Sequence, residues 1–93
     1  MKNMIKVKLV LLEEDLRKIA GAKEVIFELP EESTVKELLE NAALKYGKEI
    51  MRAPSREGVL IILNGQNIEF LGGLNAKLSD GDRVVILPPV DGG

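Results

Sequence analysis

Polar and apolar residues alternate along the first part of the chain, MIKVKLVLL. Such alternation predicts a β-strand, because successive side chains of a strand point to opposite faces of its sheet. The face assigned to the core carries Ile5, Val7, Leu9 and Leu11, and the other face carries Lys6, Lys8, Val10 and Leu12. The second face is therefore partly basic and partly apolar.

Four further apolar stretches predict strands. EVIFEL is closed by Pro30, and VLIIL leads through an Asn-Gly pair at 64–65, a strong hairpin signal, into QNIEFL. A second turn pair, Asp-Gly at 80–81, precedes RVVIL, which Pro88 must end because proline has no amide donor. The glycines at 72–73 are interpreted as turn residues with a positive φ.

The stretch STVKELLENAALKYG has the period of a helix with one apolar side. Its apolar positions are Val35, Leu38, Leu39, Ala42, Ala43 and Tyr46. Thr34 and Glu37 have the spacing of a capping box, and Gly47 suits the other end. We therefore expect a helix in which Tyr46 packs against the core rather than acting as an acid or base.

A hairpin with a long loop, a helix and then further strands describe an α+β domain, with one main helix across a mixed sheet of about four or five strands. The hairpin loop would be EEDLRKIAGAK, a polar connection anchored by Leu16 and Ile19. A β-grasp, or ubiquitin-like, architecture has this order, with its first and last strands parallel in the middle of the sheet. The domain would span 1–87 and leave 88–93, PPVDGG, as a flexible tail.

Composition excludes most kinds of catalytic site. The 93 residues include no Cys and no His, so they offer no thiol nucleophile, disulfide, catalytic imidazole or ordinary zinc site. The formal net charge of −2 argues against sequence-independent nucleic-acid binding, which needs many phosphate contacts. No apolar run reaches the roughly 20 residues of a membrane span, and no signal-peptide cleavage site is present, so we expect a cytoplasmic protein.

The whole chain resembles the ubiquitin-like sulfur carriers of the MoaD and ThiS type, above all the small subunit of molybdopterin synthase. DLRKIAG is similar to a loop of that family, STVKELLE to its helix start, and LSDGDRVVILPPVDGG, the most specific match, to its last strand and tail. LNGQNIEFLGGLNAKLSDGD is also similar to archaeal members and to ubiquitin-related modifiers. Two departures are LVLL in place of strand-one aromatics and Asp91 in place of a small neutral residue.

The resemblance implies a sulfur carrier that binds no cofactor and does no chemistry alone. An E1-like adenylating enzyme of the MoeB type would join the Gly93 carboxylate to AMP from ATP, and a sulfur nucleophile would displace AMP to give a thiocarboxylate. The acceptor would be a precursor of the molybdenum cofactor, bound with the large, MoaE-type subunit of molybdopterin synthase. The tail that presents Gly93 comprises Pro88, Pro89, Val90, Asp91 and Gly92.

A partner must offset the cost of ordering this tail, about 1–2 kcal/mol per residue, through contacts with the folded domain. The single main helix covers only one face of the sheet, so the other face should be polar. Apolar residues on that other face would provide such contacts. The predicted partner surface comprises Val10, Leu12, Val85 and Leu87, which alternate with the presumed core positions Leu9, Leu11, Val84 and Ile86, together with Arg17. Alternatively, the apolar residues pack under a loop or in a homodimer, and Arg17 is simply solvated.

Other functions are compatible with the same tail. A protein modifier would use the activated Gly93 to form isopeptide bonds with lysines of target proteins. A carrier for tRNA thiolation or thiazole synthesis would use the same thiocarboxylate with another acceptor. An interaction domain whose glycine ending is accidental is a further alternative.

Overall fold

A five-stranded mixed sheet is the framework of the computed structural model, which describes residues 3–89. The strands are β1 (Met4–Leu11), β2 (Glu24–Pro30), β3 (Leu60–Leu63), β4 (Gln66–Asn67) and β5 (Arg83–Leu87). Their order is β2-β1-β5-β3-β4, and β1 and β5 pair in parallel while the other pairs are antiparallel. The prediction of an α+β, β-grasp fold with its first and last strands side by side at the centre is therefore confirmed.

Three α-helices accompany the sheet in the described part of the chain: α1 (Glu14–Ala20), α2 (Val35–Tyr46) and α3 (Glu49–Arg52). The main helix, α2, begins at the predicted capping box. Thr34 Oγ1 accepts a hydrogen bond from Glu37 N, and Glu37 Oε1 accepts one from Thr34 N, each at 3.3 Å. At the other end, the Gly47 amide donates to the Ala43 carbonyl. The structure confirms this helix, which occupies Val35–Tyr46 within the predicted stretch 33–47.

The core lies between α2 and one face of the sheet. It contains the predicted alternate positions of the two central strands, which are Val7, Leu9, Leu11, Val84 and Ile86. The α2 residues buried against them are Val35, Leu38, Leu39 and Ala42. Tyr46 is half-buried and meets Phe27 edge-on at a ring-centroid distance of 6.4 Å, so its interpretation as a packing residue is confirmed.

The segment predicted as a polar connection after β1 is in fact helical. Its sequence has the necessary signals: Glu13 accepts a hydrogen bond from the Leu16 amide, and Gly21 ends α1 in the left-handed region. Leu16 is buried, as expected of an anchor, whereas Ile19 is exposed at 36%. The prediction of a loop was wrong because a helix of 7 residues is too short to show a clear apolar period.

The stretch QNIEFL forms much less strand than predicted. Only Gln66–Asn67 pairs with β3, and the chain then turns into a 3-10 helix at Ile68–Leu71. Asn67 Oδ1 accepts a hydrogen bond from the Glu69 amide at 2.9 Å, which draws the backbone out of the sheet. The following glycines at 72–73 have φ of 101° and 67°, so the turn interpretation is confirmed.

Within residues 3–89, none of the helices is long and apolar enough to cross a membrane.

Candidate functional site

The tail leaves the domain from the middle of the sheet. Strand β5 lies between β1 and β3, and it ends at Leu87, directly before Pro88 as predicted. The Leu12 amide donates to the Ile86 carbonyl at 3.0 Å, so the chain beyond β1 stays beside β5 to the end of that strand. Pro88 and Pro89 follow with exposed side chains. The other predicted tail residues, Val90, Asp91, Gly92 and Gly93, lie outside the described residues.

A tight turn at 56–59 lies against the start of the tail. The Val59 amide donates to the Arg56 carbonyl, and Gly58 has a φ of +83°. Leu60 and Leu87 are partners across the sheet, so the turn that precedes β3 lies opposite the residues that follow β5. A Cβ atom added at Gly58 would lie 2.8 Å from Pro89 Cβ. The first residues of the tail therefore pack against the backbone of this turn.

A buried carboxylate joins the same turn to α1. Glu13 is 7% exposed; its Oε2 accepts a hydrogen bond from Leu16 N at 2.9 Å, and its Oε1 lies 3.8 Å from Arg56 Nη1. Sequence reasoning missed this residue because Glu is not among the preferred N-cap residues and its ion-pair partner is distant in the chain. Glu13 thus connects the helix after β1 with the turn beside the tail.

Replacing Glu13 with Ala should lower the free energy of unfolding by about 1–2 kcal/mol, because the first turn of α1 loses its cap and Arg56 loses its partner. Urea unfolding of the purified chain measures this. The matched control is Glu14→Ala, which removes an exposed carboxylate from the same helix, 3.5 Å from Lys18 Nζ, and should change stability by less than about 0.5 kcal/mol. Equal losses in the two variants would contradict the assigned role of Glu13.

The side of the sheet away from α2 is hereafter called the open face. Strand register assigns to it Lys6, Lys8, Val10, Glu24, Ile26, Glu28, Leu60, Ile62, Arg83, Val85 and Leu87. The alternation of β1 continues to Leu12, which also belongs to it. This arrangement confirms which positions of the two central strands face the core and which do not.

Six apolar residues of the open face form one patch at the end nearest the tail, whereas Ile26 lies apart from them, paired with Lys8. This apolar patch comprises Val10, Leu12, Leu60, Ile62, Val85 and Leu87, with Val85 paired to both Val10 and Ile62. Leu60 is the most open member at 39% exposure, whereas Val10 has no exposed surface. Of the predicted partner residues, Leu12, Val85 and Leu87 are therefore partly exposed on this face, whereas Val10 is fully buried and offers no surface to a partner.

The basic residues of the open face lie at the opposite end. Lys8 and Arg83 are partners across β1 and β5, and Arg83 begins the strand whose last residue precedes the tail. Lys8 Nζ lies 3.9 Å from Glu24 Oε1 in a partly exposed ion pair. Arg17, the remaining predicted contact, is exposed and lies on α1 rather than on the sheet or on a loop.

Sequence reasoning missed Leu60 and Ile62 as members of the patch. The run VLIIL is apolar throughout, so its own pattern does not show which residues face the core. The register of β3 against β5 decides this, and register is a property of the folded sheet. The described part of the chain contains no group of three or more acidic residues arranged to hold a metal ion.

Comparison with known proteins agrees with the architecture and with the position of the tail. The sequence model of the ThiS family matches residues 10–93, which include the last two residues of β1, all later elements and the terminal glycines. The chain belongs to the ThiS family. The fold and the terminal sequence motif are therefore those of one group of ubiquitin-like proteins.

Individual relatives of this ThiS-family chain have different described roles. It is 30% identical over 81 residues to small archaeal modifier protein 3 of Haloferax volcanii, covering 83% of this chain and 88% of that protein. It is 34% identical over 68 residues to a protein of Archaeoglobus fulgidus provisionally described as a sulfur carrier, covering 68% and 77%. A Pyrococcus furiosus structure, provisionally described as molybdopterin converting factor subunit 1, has a TM-score of 0.74 and 28% identity, covering 92% of this chain and 99% of that one.

Proposed function

We propose that this ThiS-family chain is a sulfur carrier and serves as the small subunit of molybdopterin synthase. An oxygen of the Gly93 carboxylate attacks the α-phosphorus of ATP on an E1-like enzyme, and pyrophosphate leaves. A sulfur nucleophile then attacks the acyl carbon of the adenylate, and AMP leaves. The observation that carries the proposal is the family match extending through Gly93, on a chain with no cysteine to carry sulfur elsewhere.

The open face supports a role in which the domain docks and the tail reacts. The apolar patch surrounds the end of β5, where the tail starts, so a partner covering Leu87 and Leu60 would also meet the tail. The six residues from Pro88 can reach roughly 20 Å in an extended, polyproline-like form. A tail of this length can span from the docking surface to a reaction site inside the partner.

Incubation with ATP, a sulfur donor and the adenylating enzyme of the same organism should convert the chain to its thiocarboxylate. Intact-mass spectrometry should show the gain expected for replacement of one oxygen by sulfur, and fragmentation should locate that gain at Gly93. The control omits ATP and should show no gain. An unchanged mass with an enzyme that adenylates another carrier would overturn the proposal.

The likeness to a Haloferax volcanii modifier protein favours a second candidate function, conjugation to other proteins. In this reaction a lysine amine of the target attacks the carbonyl carbon of the Gly93 adenylate, AMP leaves, and loss of a proton from the nitrogen gives an isopeptide bond. Trypsin would cleave this tail after Arg83, so digested cell protein would then contain lysines that carry the remnant VVILPPVDGG. Their absence from cells that accumulate the thiocarboxylate would count against conjugation.

The sulfur acceptor distinguishes molybdopterin synthesis from the other sulfur pathways. The likeness to the Pyrococcus furiosus structure supports the pterin route. The thiocarboxylate, once made, can be offered separately to the large subunit of molybdopterin synthase with its pterin substrate, to a tRNA-thiolating enzyme or to a thiazole synthase. If sulfur were transferred only to tRNA or to a thiazole, the proposed pterin acceptor would be wrong, whereas the proposed sulfur-carrier chemistry would stand.

A further inference from the structure

Gly58 lies where any side chain would collide with the start of the tail. A Cβ atom at this position would be 2.8 Å from Pro89 Cβ and 3.4 Å from both Cα and Cγ of the same residue. These are ring and backbone atoms, so no flexible side-chain end can move out of the way. We propose that Gly58 is a positioning residue whose bare backbone fixes the direction in which the chain leaves the domain at Pro89.

Two sets of contacts fix the position of the turn against which Pro89 packs. The turn at 56–59 is closed by the hydrogen bond from Val59 N to Arg56 O, and the Arg56 amide donates to the Ala53 carbonyl. The Arg56 side chain is paired with Glu13, and Leu60, two residues after Gly58, is registered against Leu87. Gly58 is therefore a fixed support and not a mobile loop tip.

A fixed direction at Pro89 favours presentation of the terminal carboxylate, a consequence that rests on the proposed function. Proline restricts its own φ to about −65°, so the ring and the Gly58 backbone together limit the paths open to the chain. A partner docked on the apolar patch then receives a tail that has fewer conformations to lose. Displacing Pro89 should leave docking intact and reduce the fraction of docked complexes in which Gly93 reaches the reaction site.

A simpler reason for glycine at this position is its backbone conformation. Gly58 is the third residue of its turn and has a φ of +83°, which favours glycine whatever lies nearby. Gly65 provides a matched case: it is the third residue of the turn at 63–66 and has a φ of +86°. A Cβ atom at Gly65 would have no neighbour within 4 Å, and Gly65 lies at the far end of β3 from the tail. Gly65→Ala therefore reproduces the backbone strain without the collision.

The first test measures pyrophosphate release by the adenylating enzyme with the full chain as substrate. Gly58→Ala should lower kcat about 10-fold while KM changes less than about 3-fold, because docking is retained and productive entry of the tail is lost. Gly65→Ala should retain the wild-type kcat at a similar loss of stability in urea. A wild-type kcat for Gly58→Ala, or an equal fall for Gly65→Ala, would overturn the inference.

The second test is a double-mutant cycle with Pro89→Gly. If the contact between the two residues carries the effect, adding Gly58→Ala to Pro89→Gly should lower kcat no further. An NMR NOE between Gly58 Hα and Pro89 Hβ should be present in the wild type and absent in Gly58→Ala. Additive losses of kcat, or a missing wild-type NOE, would contradict the inference. A wild type that releases no pyrophosphate would overturn the proposed function, and this inference with it.

Discussion

Deleting Gly93, or adding one residue after it, should abolish thiocarboxylate formation while the domain stays folded. In the proposed reaction the reacting carbon is the carboxylate carbon of Gly93, and each residue added or removed would shift the terminal carboxylate by about 3.3–3.6 Å along an extended tail. Misplacement of reacting groups by about 1 Å can already lower a rate about 100-fold. Both variants should therefore lose at least that factor in the mass-spectrometric assay.

The control for this prediction is a chain lengthened by one Ala at its other end. This control has the same mass as a chain with one Ala added after Gly93, and it should form the thiocarboxylate at the wild-type rate. Urea unfolding of the chain lacking Gly93 should give the wild-type midpoint, because the core formed by the described residues, 3–89, lies within positions 5–86. Thiocarboxylate formation by either altered terminus would show that the reactive carbon is not specifically that of Gly93.

The parts of the fold that follow from local sequence were predictable. Strand β5 was predicted at its observed bounds because Gly81 marks its turn and Pro88 ends its hydrogen-bond ladder. The helix α2 followed from its apolar period and from the capping box at Thr34. The faces of β1 followed from alternation alone. In each case the decisive interactions are between residues close in the sequence.

The parts that depend on distant partners were not predictable in this way. Glu13 caps a short helix and pairs with Arg56, and no local pattern joins these two residues. Leu60 belongs to the apolar patch only because β3 pairs with β5 in one register. The collision partner of Gly58 is equally remote. In the candidate site, the end of β5 could be located from the sequence, but the residues that surround it are known only from the folded sheet.

Replacing Leu60 with Glu should weaken the complex with the adenylating enzyme by at least about 100-fold, measured by isothermal titration calorimetry. Leu60 is 39% exposed at the edge of the apolar patch, so the new carboxylate stays hydrated in the free chain and folding should be largely preserved. In the complex the carboxylate would be buried without a partner, and an unpaired buried charge costs about 3–5 kcal/mol. The substitution should therefore weaken binding of the partner much more than it destabilises the folded chain.

The matched control is Leu44→Glu, the same substitution at an 88% exposed position of α2, on the other side of the sheet. It should leave affinity within about 2-fold of the wild type, because surface substitutions remote from an interface have small effects. If Leu44→Glu weakens the complex and Leu60→Glu does not, the partner docks on the helix side.

Kinetics measured over a range of carrier concentrations, up to saturation, separate docking by the apolar patch from presentation of the tail. Leu60→Glu should raise KM and leave kcat close to the wild-type value, because the patch contributes equally to the bound substrate and to the transition state. Gly58→Ala is expected to do the reverse, since it alters the path of the tail and not the patch. A rise in KM for Leu60→Glu and a fall in kcat for Gly58→Ala would show that docking and presentation of the tail are separable functions of one end of the sheet. A fall in kcat in both variants would show that these two functions cannot be separated.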